Sequence, residues 1–205
     1  MELLLSGGGD PKDVIELDKF FASKISLENS VLYVPVAFEN DSSYNGCFNW
    51  FKETYRHYGI TNIEMCVNLS VISNLDRFST IFIGGGNTFK LLKEIKENRF
   101  DEKLMDYLNG GGFVYGGSAG AIIFGKSIKS AEYADDNNVG LTDLTGFDLV
   151  GGSDIFCHYS IKDNGFIANY ENDLYILYEE SGMYINGNKI EIIGKPYLNK
   201  CDIAI

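Results

Sequence analysis

The chain has 205 residues, of which 45% are hydrophobic, and carries a formal net charge of −12 at pH 7. A chain of this length can enclose one substantial hydrophobic core, so we expect a single domain over residues 1–205. Its acidic balance argues against nucleic acid or an anionic membrane as a partner, because both partners require basic surfaces. The composition does not exclude small or cationic ligands.

The four cysteines are scattered, form no C-x-x-C pair and are accompanied by two histidines. This pattern is typical of reduced thiols in a cytoplasmic protein and argues against structural zinc, so we expect no metal and no cofactor. No basic segment precedes a long apolar run at Met1, and no run reaches the roughly 18 apolar residues of a membrane span. We therefore expect a cytoplasmic protein without a membrane partner, as a monomer or a homodimer.

Along the first 120 residues, short apolar runs alternate with longer helical patterns. Strands are predicted at Leu3–Leu5, Val31–Val36, Ile63–Val67, Thr80–Ile83 and Phe113–Tyr115. Helical faces are predicted around Val14–Phe21, Phe48–Tyr58, Leu91–Ile95 and Leu104–Leu108. This alternation predicts an α/β three-layer sandwich, in which helices cover both faces of a central, mostly parallel sheet.

After residue 145 the pattern changes. Strands are predicted at Asp154–Tyr159 and Asp173–Tyr178, and an Asn186-Gly187 turn separates two further apolar runs. Asn-Gly between such runs is a strong hairpin signal. We therefore expect the C-terminal part to add antiparallel strands, including a hairpin, to the same core.

Three glycine-rich segments, residues 7–9, 84–86 and 116–120, each follow a predicted strand. Because the carboxyl ends of parallel strands lie at one edge of a sheet, these segments are expected to form one ligand site. They could also be simple tight turns or a phosphate cradle. However, no G-x-G-x-x-G motif with a suitably placed acid and no G-x-x-x-x-G-K-[ST] motif is present.

The segment from Gly116 to Gly120 matches G-x-S-x-G, which holds a serine on a sharp strand-to-helix turn. Ser118 is therefore the candidate nucleophile, and it needs a base. His57 lies near the end of a helical pattern, where a cation is ordinary capping. His158 lies at the carboxyl end of a predicted strand, on the same edge as Ser118, and is the candidate base.

A third group should hold the histidine in the tautomer that accepts the serine proton. Between Ser118 and His158, the loop 131–138 offers Asp135, Glu132 and Asp136. The order serine, acid, histidine is that of other G-x-S-x-G hydrolases. We favour Asp135 and then Glu132, with a solvated acidic loop as the alternative.

An oxyanion needs two preorganised N–H donors. Ala119, at the start of the helix after the nucleophile, is predicted to supply one, and Gly86 in the neighbouring glycine loop to supply the other. Asn87 is predicted either to orient the substrate or to cap the helix that begins at Thr88.

The two glycine blocks, residues 84–89 and 117–121, together with their spacing, resemble the paired signature of the dipeptidase E-like serine peptidases, which include the cyanophycinases. The resemblance implies Ser118, His158, Gly86 and Ala119 in the roles given above, and an acid within 132–136. It also implies a fold of the flavodoxin-like kind that class I glutamine amidotransferases have. Characterised dipeptidases of this family favour an N-terminal aspartate, and its cyanophycinases cleave an aspartate-arginine polymer.

The chain departs from the dipeptidase pattern after His158, where a Gly-Glu-Thr-Arg type segment is missing and no arginine follows Arg99. Recognition of an aspartyl carboxylate would then need Lys162, Lys129, Lys126 or backbone donors, and a lysine offers a point charge rather than a bidentate grip. The sequence predicts a serine-type peptidase for small peptides. The alternatives are an amidohydrolase or esterase with the same triad, and a non-catalytic domain that binds a small ligand or nucleotide.

Overall fold

The structure is a computed structural model that describes residues 1–38 and 41–203, apart from the side chains of residues 41 and 42. The strands are β1 (Glu2–Ser6), β2 (Ser30–Val34), β3 (Ile63–Met65), β4 (Phe78–Ile83), β5 (Phe113–Gly117), β6 (Asp154–Phe156), β7 (Leu174–Ile176), β8 (Ser181–Asn186), β9 (Lys189–Gly194) and β10 (Leu198–Asn199). The helices are α1 (Ile15–Lys24), α2 (Asp41–Arg56), α3 (Thr88–Glu97), α4 (Phe100–Asn109), α5 (Ala119–Ile122) and α6 (Asn164–Asn169). No helix in these ranges has both the length and the apolar character needed to cross a bilayer.

A seven-stranded mixed sheet runs through the centre of the molecule in the order β3-β2-β4-β5-β1-β8-β9. The first five strands of this order are parallel to their neighbours, whereas β8 and β9 are antiparallel. All five residues of β1, β2 and β5 are buried or nearly so, as expected for strands covered on both faces. The predicted α/β sandwich with a mostly parallel sheet is confirmed.

Helices cover both faces of this sheet. On one face, α1 and α2 pack through Leu17, Phe21, Phe51 and Tyr55. On the other, α3 buries Phe89, Leu91, Leu92 and Ile95, whose spacing of three and four residues directs one stripe of the helix at the sheet. The sheet therefore separates two hydrophobic cores.

The C-terminal region departs in part from the sequence prediction. The Asn186-Gly187 hairpin forms between β8 and β9 and extends the central sheet, as expected. However, β6 and β7 pair in parallel with each other and, with β10, form a separate three-stranded sheet. Their apolar residues pack with Ile167 of α6 in a smaller third cluster.

Candidate active site

The three glycine-rich loops meet at one edge of the central sheet. Strands β4, β5 and β1 are adjacent and parallel, so the segments that follow them lie side by side. A Cβ placed on Gly85, in the loop that follows β4, would lie 3.5 Å from the Ser118 hydroxyl oxygen. The loops therefore converge on Ser118.

Ser118 occupies a sharp turn between β5 and α5. Its backbone has φ +54° and ψ −115°, a combination that costs an L-residue on the order of 1–3 kcal/mol. A Cβ on Gly116 would lie 2.2 Å from the Gly120 carbonyl oxygen, and one on Gly120 would lie 2.3 Å from the Ile83 carbonyl oxygen. Both outer glycines of G-x-S-x-G are thus required by backbone contacts.

His158 lies directly against this serine. Its Nε2 atom is 2.8 Å from the Ser118 hydroxyl oxygen. The His158 backbone has φ +56°, and the backbone N–H of His158 donates a 3.2 Å hydrogen bond to the Gly7 carbonyl. Gly8 packs on the imidazole ring so closely that a Cβ there would lie 2.3 Å from Cε1. The first glycine loop therefore fixes the position of the imidazole.

Glu179 is the third member of this arrangement. Its Oε1 atom lies 3.0 Å from Nδ1 of His158, and the His158 and Glu179 side chains are 46% and 49% exposed. Since a carboxylate can only accept hydrogen bonds, this contact assigns the ring proton to Nδ1 and leaves Nε2 free to accept the serine proton. The geometry is a serine–histidine–glutamate relay.

Asp135 and Glu132, the acids favoured from the sequence, do not contact His158, and this expectation is corrected. Asp135 accepts a 2.8 Å hydrogen bond from the Thr88 N–H, in the first turn of α3, and so satisfies a donor that the helix leaves unpaired. Glu132 is exposed and lines a separate surface hollow with Lys129 and Tyr170. The acidic loop supports the fold of the site.

The sequence signal for Glu179 lies in the strand pattern. Because β6 and β7 are parallel neighbours, the residues that follow them emerge side by side, and the Tyr159 N–H donates to the Leu177 carbonyl just beyond the paired residues. His158 and Glu179 both come from these two strand ends. The same rule that selected His158 would have selected Glu179, had the two strands been recognised as a parallel pair.

The structure places Gly86 and Ala119 beside Ser118. Gly86 has φ +129°, and a Cβ there would lie 2.8 Å from the Ala37 carbonyl oxygen, so only glycine fits. It lines both cavities that adjoin Ser118. Ala119 is the first residue of α5, where a backbone N–H has no partner within the helix. The oxyanion role of the two N–H groups stays a prediction.

Asn87 caps α3, which was one of its two predicted roles. Its Oδ1 accepts a 2.9 Å hydrogen bond from the Lys90 N–H, and its amide nitrogen donates to the Asp136 carbonyl at 2.8 Å. Both ends of the side-chain amide are engaged in holding the loop and the helix together. The alternative role, in which Asn87 orients the substrate, stays a prediction.

Two cavities adjoin the serine and histidine. The larger, of about 400 Å³, extends beneath Ser118 between the sheet, α1 and α2. The smaller, of about 200 Å³, lies on the other side, against residues 130–131, 133–135 and 162–163. Of the three lysines considered for carboxylate recognition, Lys162 lines the smaller cavity, Lys129 lines the hollow with Glu132, and Lys126 lines neither cavity.

The cysteines and His57 lie outside this relay. The four cysteines are free, and burial raises the pKa of the Cys157 thiol far above its ordinary value. His57 is exposed just after α2. Within residues 1–38 and 41–203, no cluster of three or more His, Cys, Asp or Glu side chains could hold a metal ion.

A serine on a strand-to-helix turn, bonded to a histidine and through it to a carboxylate, at the carboxyl edge of a mostly parallel sheet, defines an α/β protein with a hydrolase-type site. The chain belongs to Peptidase family S51, whose family model matches residues 3–195. The resemblance found in the sequence is thereby confirmed.

Similar proteins carry related names. The chain is 34% identical over 77 residues to the peptidase E of Salmonella arizonae, a match that covers 38% of this chain and 31% of that protein. It is 27% identical to an uncharacterized peptidase of Pasteurella multocida, over 67% of this chain and 69% of that protein. A solved structure of a Listeria monocytogenes EGD-e protein assigned to peptidase E superposes with a TM-score of 0.77 at 23% identity, covering 95% of this chain and 98% of the other. That structure supports the fold.

Proposed function

We propose that this protein is a serine peptidase that hydrolyses small peptides through an acyl-enzyme, with Ser118, His158 and Glu179 as its catalytic triad. The observation that carries the proposal is the continuous relay from the Ser118 hydroxyl through both ring nitrogens of His158 to the Glu179 carboxylate. Membership of Peptidase family S51 and the names of its relatives support the same activity.

In the proposed reaction, Nε2 of His158 takes the hydroxyl proton as the Ser118 oxygen attacks the peptide carbonyl carbon. The resulting oxyanion accepts hydrogen bonds from the N–H groups of Ala119 and Gly86. The tetrahedral intermediate collapses when His158 gives its proton to the departing amine, which leaves an ester on Ser118. A water molecule, deprotonated by the same imidazole, then attacks the ester and releases the acid.

Glu179 acts on the histidine. Its carboxylate accepts the Nδ1 hydrogen, which orients the ring and stabilises the imidazolium that forms when Nε2 takes the serine proton. Both side chains are about half exposed, so water screens their attraction. We therefore assign Glu179 chiefly an orienting role.

The dimensions of the site favour short substrates. Cavities of about 400 and 200 Å³ adjoin Ser118, enough for one or two residues on either side of the scissile bond. We further propose, from the four free and dispersed cysteines, that the enzyme works in a reducing compartment such as the cytoplasm.

The test is hydrolysis of a dipeptide panel, which includes aspartyl dipeptides, by the wild type and by Ser118→Ala. We expect the substitution to lower kcat/KM by on the order of 10⁴-fold or more while dipeptide binding persists. Equal activity in the two proteins would overturn the proposal. Cleavage of blocked esters without cleavage of any peptide would instead assign an esterase.

A further inference from the structure

The larger cavity connects the nucleophile with a buried carboxyl group. Ser118 and His158 line one part of it, and Asp18 of α1 and Tyr55 of α2 line another. Asp18 is 2% exposed and, with its neighbour Tyr55, lines this cavity. A substrate held at Ser118 can therefore extend a side chain toward Asp18.

Among the residues that the structure describes, no cationic side chain pairs with the Asp18 carboxylate. Within the same residues, its one hydrogen bond comes from the Tyr55 hydroxyl, which donates to Oδ1 at 2.6 Å. Apart from His158, no basic side chain in the described part of the chain lines the cavity. A buried carboxylate with a single neutral donor is costly unless a cation or further donors approach it.

The walls of the cavity suit a cation on an apolar stem. Tyr33, Phe82, Tyr115 and Trp50 contribute aromatic surface, and Phe82 and Tyr115 stack with their ring centroids 4.2 Å apart. Aromatic walls favour both methylene groups and a positively charged end. An aspartyl side chain would instead meet the like charge of Asp18, because burial raises the pKa of this group only to about 6 and leaves it ionised at neutral pH.

We propose that this cavity is a substrate subsite for a basic side chain, lysine or arginine, whose charged end pairs with Asp18. The proposal rests on the peptidase function proposed above and names its substrate class. It assigns Asp18 as the specificity-determining residue. This preference differs from the N-terminal aspartyl preference of the family's characterised dipeptidases.

Binding is tested with the inactive Ser118→Ala protein, so that the result does not depend on turnover. Calorimetry compares Lys-Ala and Ala-Lys with the norleucine peptides, which keep the apolar stem and lack the amine. We expect the lysine member of at least one pair to bind about tenfold or more tightly, as a charge-assisted hydrogen bond would provide. Equal affinity in both pairs, or no binding of any of the four peptides, would overturn the proposal.

The role of Asp18 is tested by adding Asp18→Asn, which keeps an acceptor for Tyr55, and by the matched change Glu16→Gln on the exposed side of the same helix. We expect Asp18→Asn to bring the lysine-to-norleucine ratio close to one and Glu16→Gln to leave it unchanged. Circular dichroism establishes that both variants fold. A lysine preference that survives Asp18→Asn would contradict the assignment.

The two proposals fail in different ways. If the wild type hydrolyses none of the peptides, yet lysine peptides bind selectively and through Asp18, the peptidase function fails and the cationic subsite stands. If peptides are hydrolysed without a lysine preference, the subsite fails and the peptidase function stands.

Discussion

At the scale of single residues, the catalytic acid shows where sequence reasoning succeeds and where it ends. Ser118 is readable from a local motif, because close backbone contacts require glycine at Gly116 and Gly120. His158 is readable because the chain has two histidines and one of them ends a strand. Glu179 is not, because it is one of 29 acidic residues and becomes distinct only through the pairing of β6 with β7.

The first prediction concerns that acid. Glu179→Gln removes the charge that orients the His158 ring and should lower kcat/KM by on the order of 10²- to 10⁴-fold. Steady-state kinetics on the best dipeptide would measure this. Glu180→Gln is the matched control, because its exposed carboxylate pairs loosely with Lys195 at 4.0 Å and is expected to have little effect on activity. Equal activity of the two variants would exclude Glu179 from the triad.

The second prediction concerns Gly8, whose backbone packs on the His158 ring. Gly8 and Gly111 share φ +93°, but a Cβ on Gly111 meets nothing within 4 Å. Alanine at either position should lower the free energy of unfolding by about 1 kcal/mol through backbone strain. Only Gly8→Ala should displace the imidazole and reduce kcat, on the order of 10²-fold.

Urea denaturation and steady-state kinetics together separate the two effects. If Gly8→Ala and Gly111→Ala had the same kcat, the loop that contains Gly8 would not position His158.

At the scale of elements, the acidic loop and helix α3 act as one unit. The Asp135 carboxylate accepts a hydrogen bond from the Thr88 N–H. The Asn87 side chain accepts one from the Lys90 N–H and donates one to the Asp136 carbonyl. These contacts hold the N-terminus of α3 and, with it, the Gly84–Gly86 loop. From residue type alone, the acidic side chains of this loop were predicted to include the catalytic acid, whereas their contacts show helix capping. The sequence does not separate the two roles, because Asp and Asn serve in both.

The third prediction follows from this unit. Asp135→Ala should lower the free energy of unfolding by about 0.5–2 kcal/mol, the usual cost of losing a helix cap, and leave kcat within about threefold of the wild type. Asp136→Ala is the control, since its exposed carboxylate makes no hydrogen bond within the part of the chain that the structure describes. A large loss of kcat in Asp135→Ala, with the free energy of unfolding unchanged, would instead show that this residue takes part in catalysis.

At the scale of the whole molecule, most of the architecture was readable from the sequence. The alternation of apolar runs and helical stripes predicted the parallel sheet, and Asn186-Gly187 predicted the hairpin at its edge. The separate sheet of β6, β7 and β10 was not predicted, because its strands are two or three residues long and their partners are set by packing against α6. The single domain over residues 1–205 stays a prediction.

The fourth prediction concerns the cost of the buried Asp18 to the fold. Burial raises its pKa from 3.8 to about 6, against the opposing hydrogen bond from Tyr55. The folded state therefore holds the proton more tightly than the unfolded state, so the free energy of unfolding falls as pH rises from about 4 to about 6 and stays lower above this range. Tyr55 and Tyr115, which face Asp18 from α2 and β5, have raised pKa values and remain neutral throughout.

Asp18→Asn should accordingly be more stable than the wild type at pH 8, by at most about 3 kcal/mol, and the difference should vanish toward pH 4. Urea denaturation at the two pH values measures it, with Glu16→Gln as the control for charge alone. If Asp18→Asn were less stable than the wild type at pH 8, the result would contradict the conclusion that the buried Asp18 carboxylate is an uncompensated charge. A destabilising carboxylate in the cavity that Ser118 also lines is what a specificity group would require.

The most direct test of the central claim is covalent labelling of the folded protein with a fluorophosphonate, followed by intact mass measurement and peptide mapping. The account predicts one adduct, on Ser118, that is absent from Ser118→Ala and forms more slowly in Glu179→Gln. A folded protein that stays unlabelled, or that carries its adduct on another residue, would contradict the assignment of Ser118 as the nucleophile.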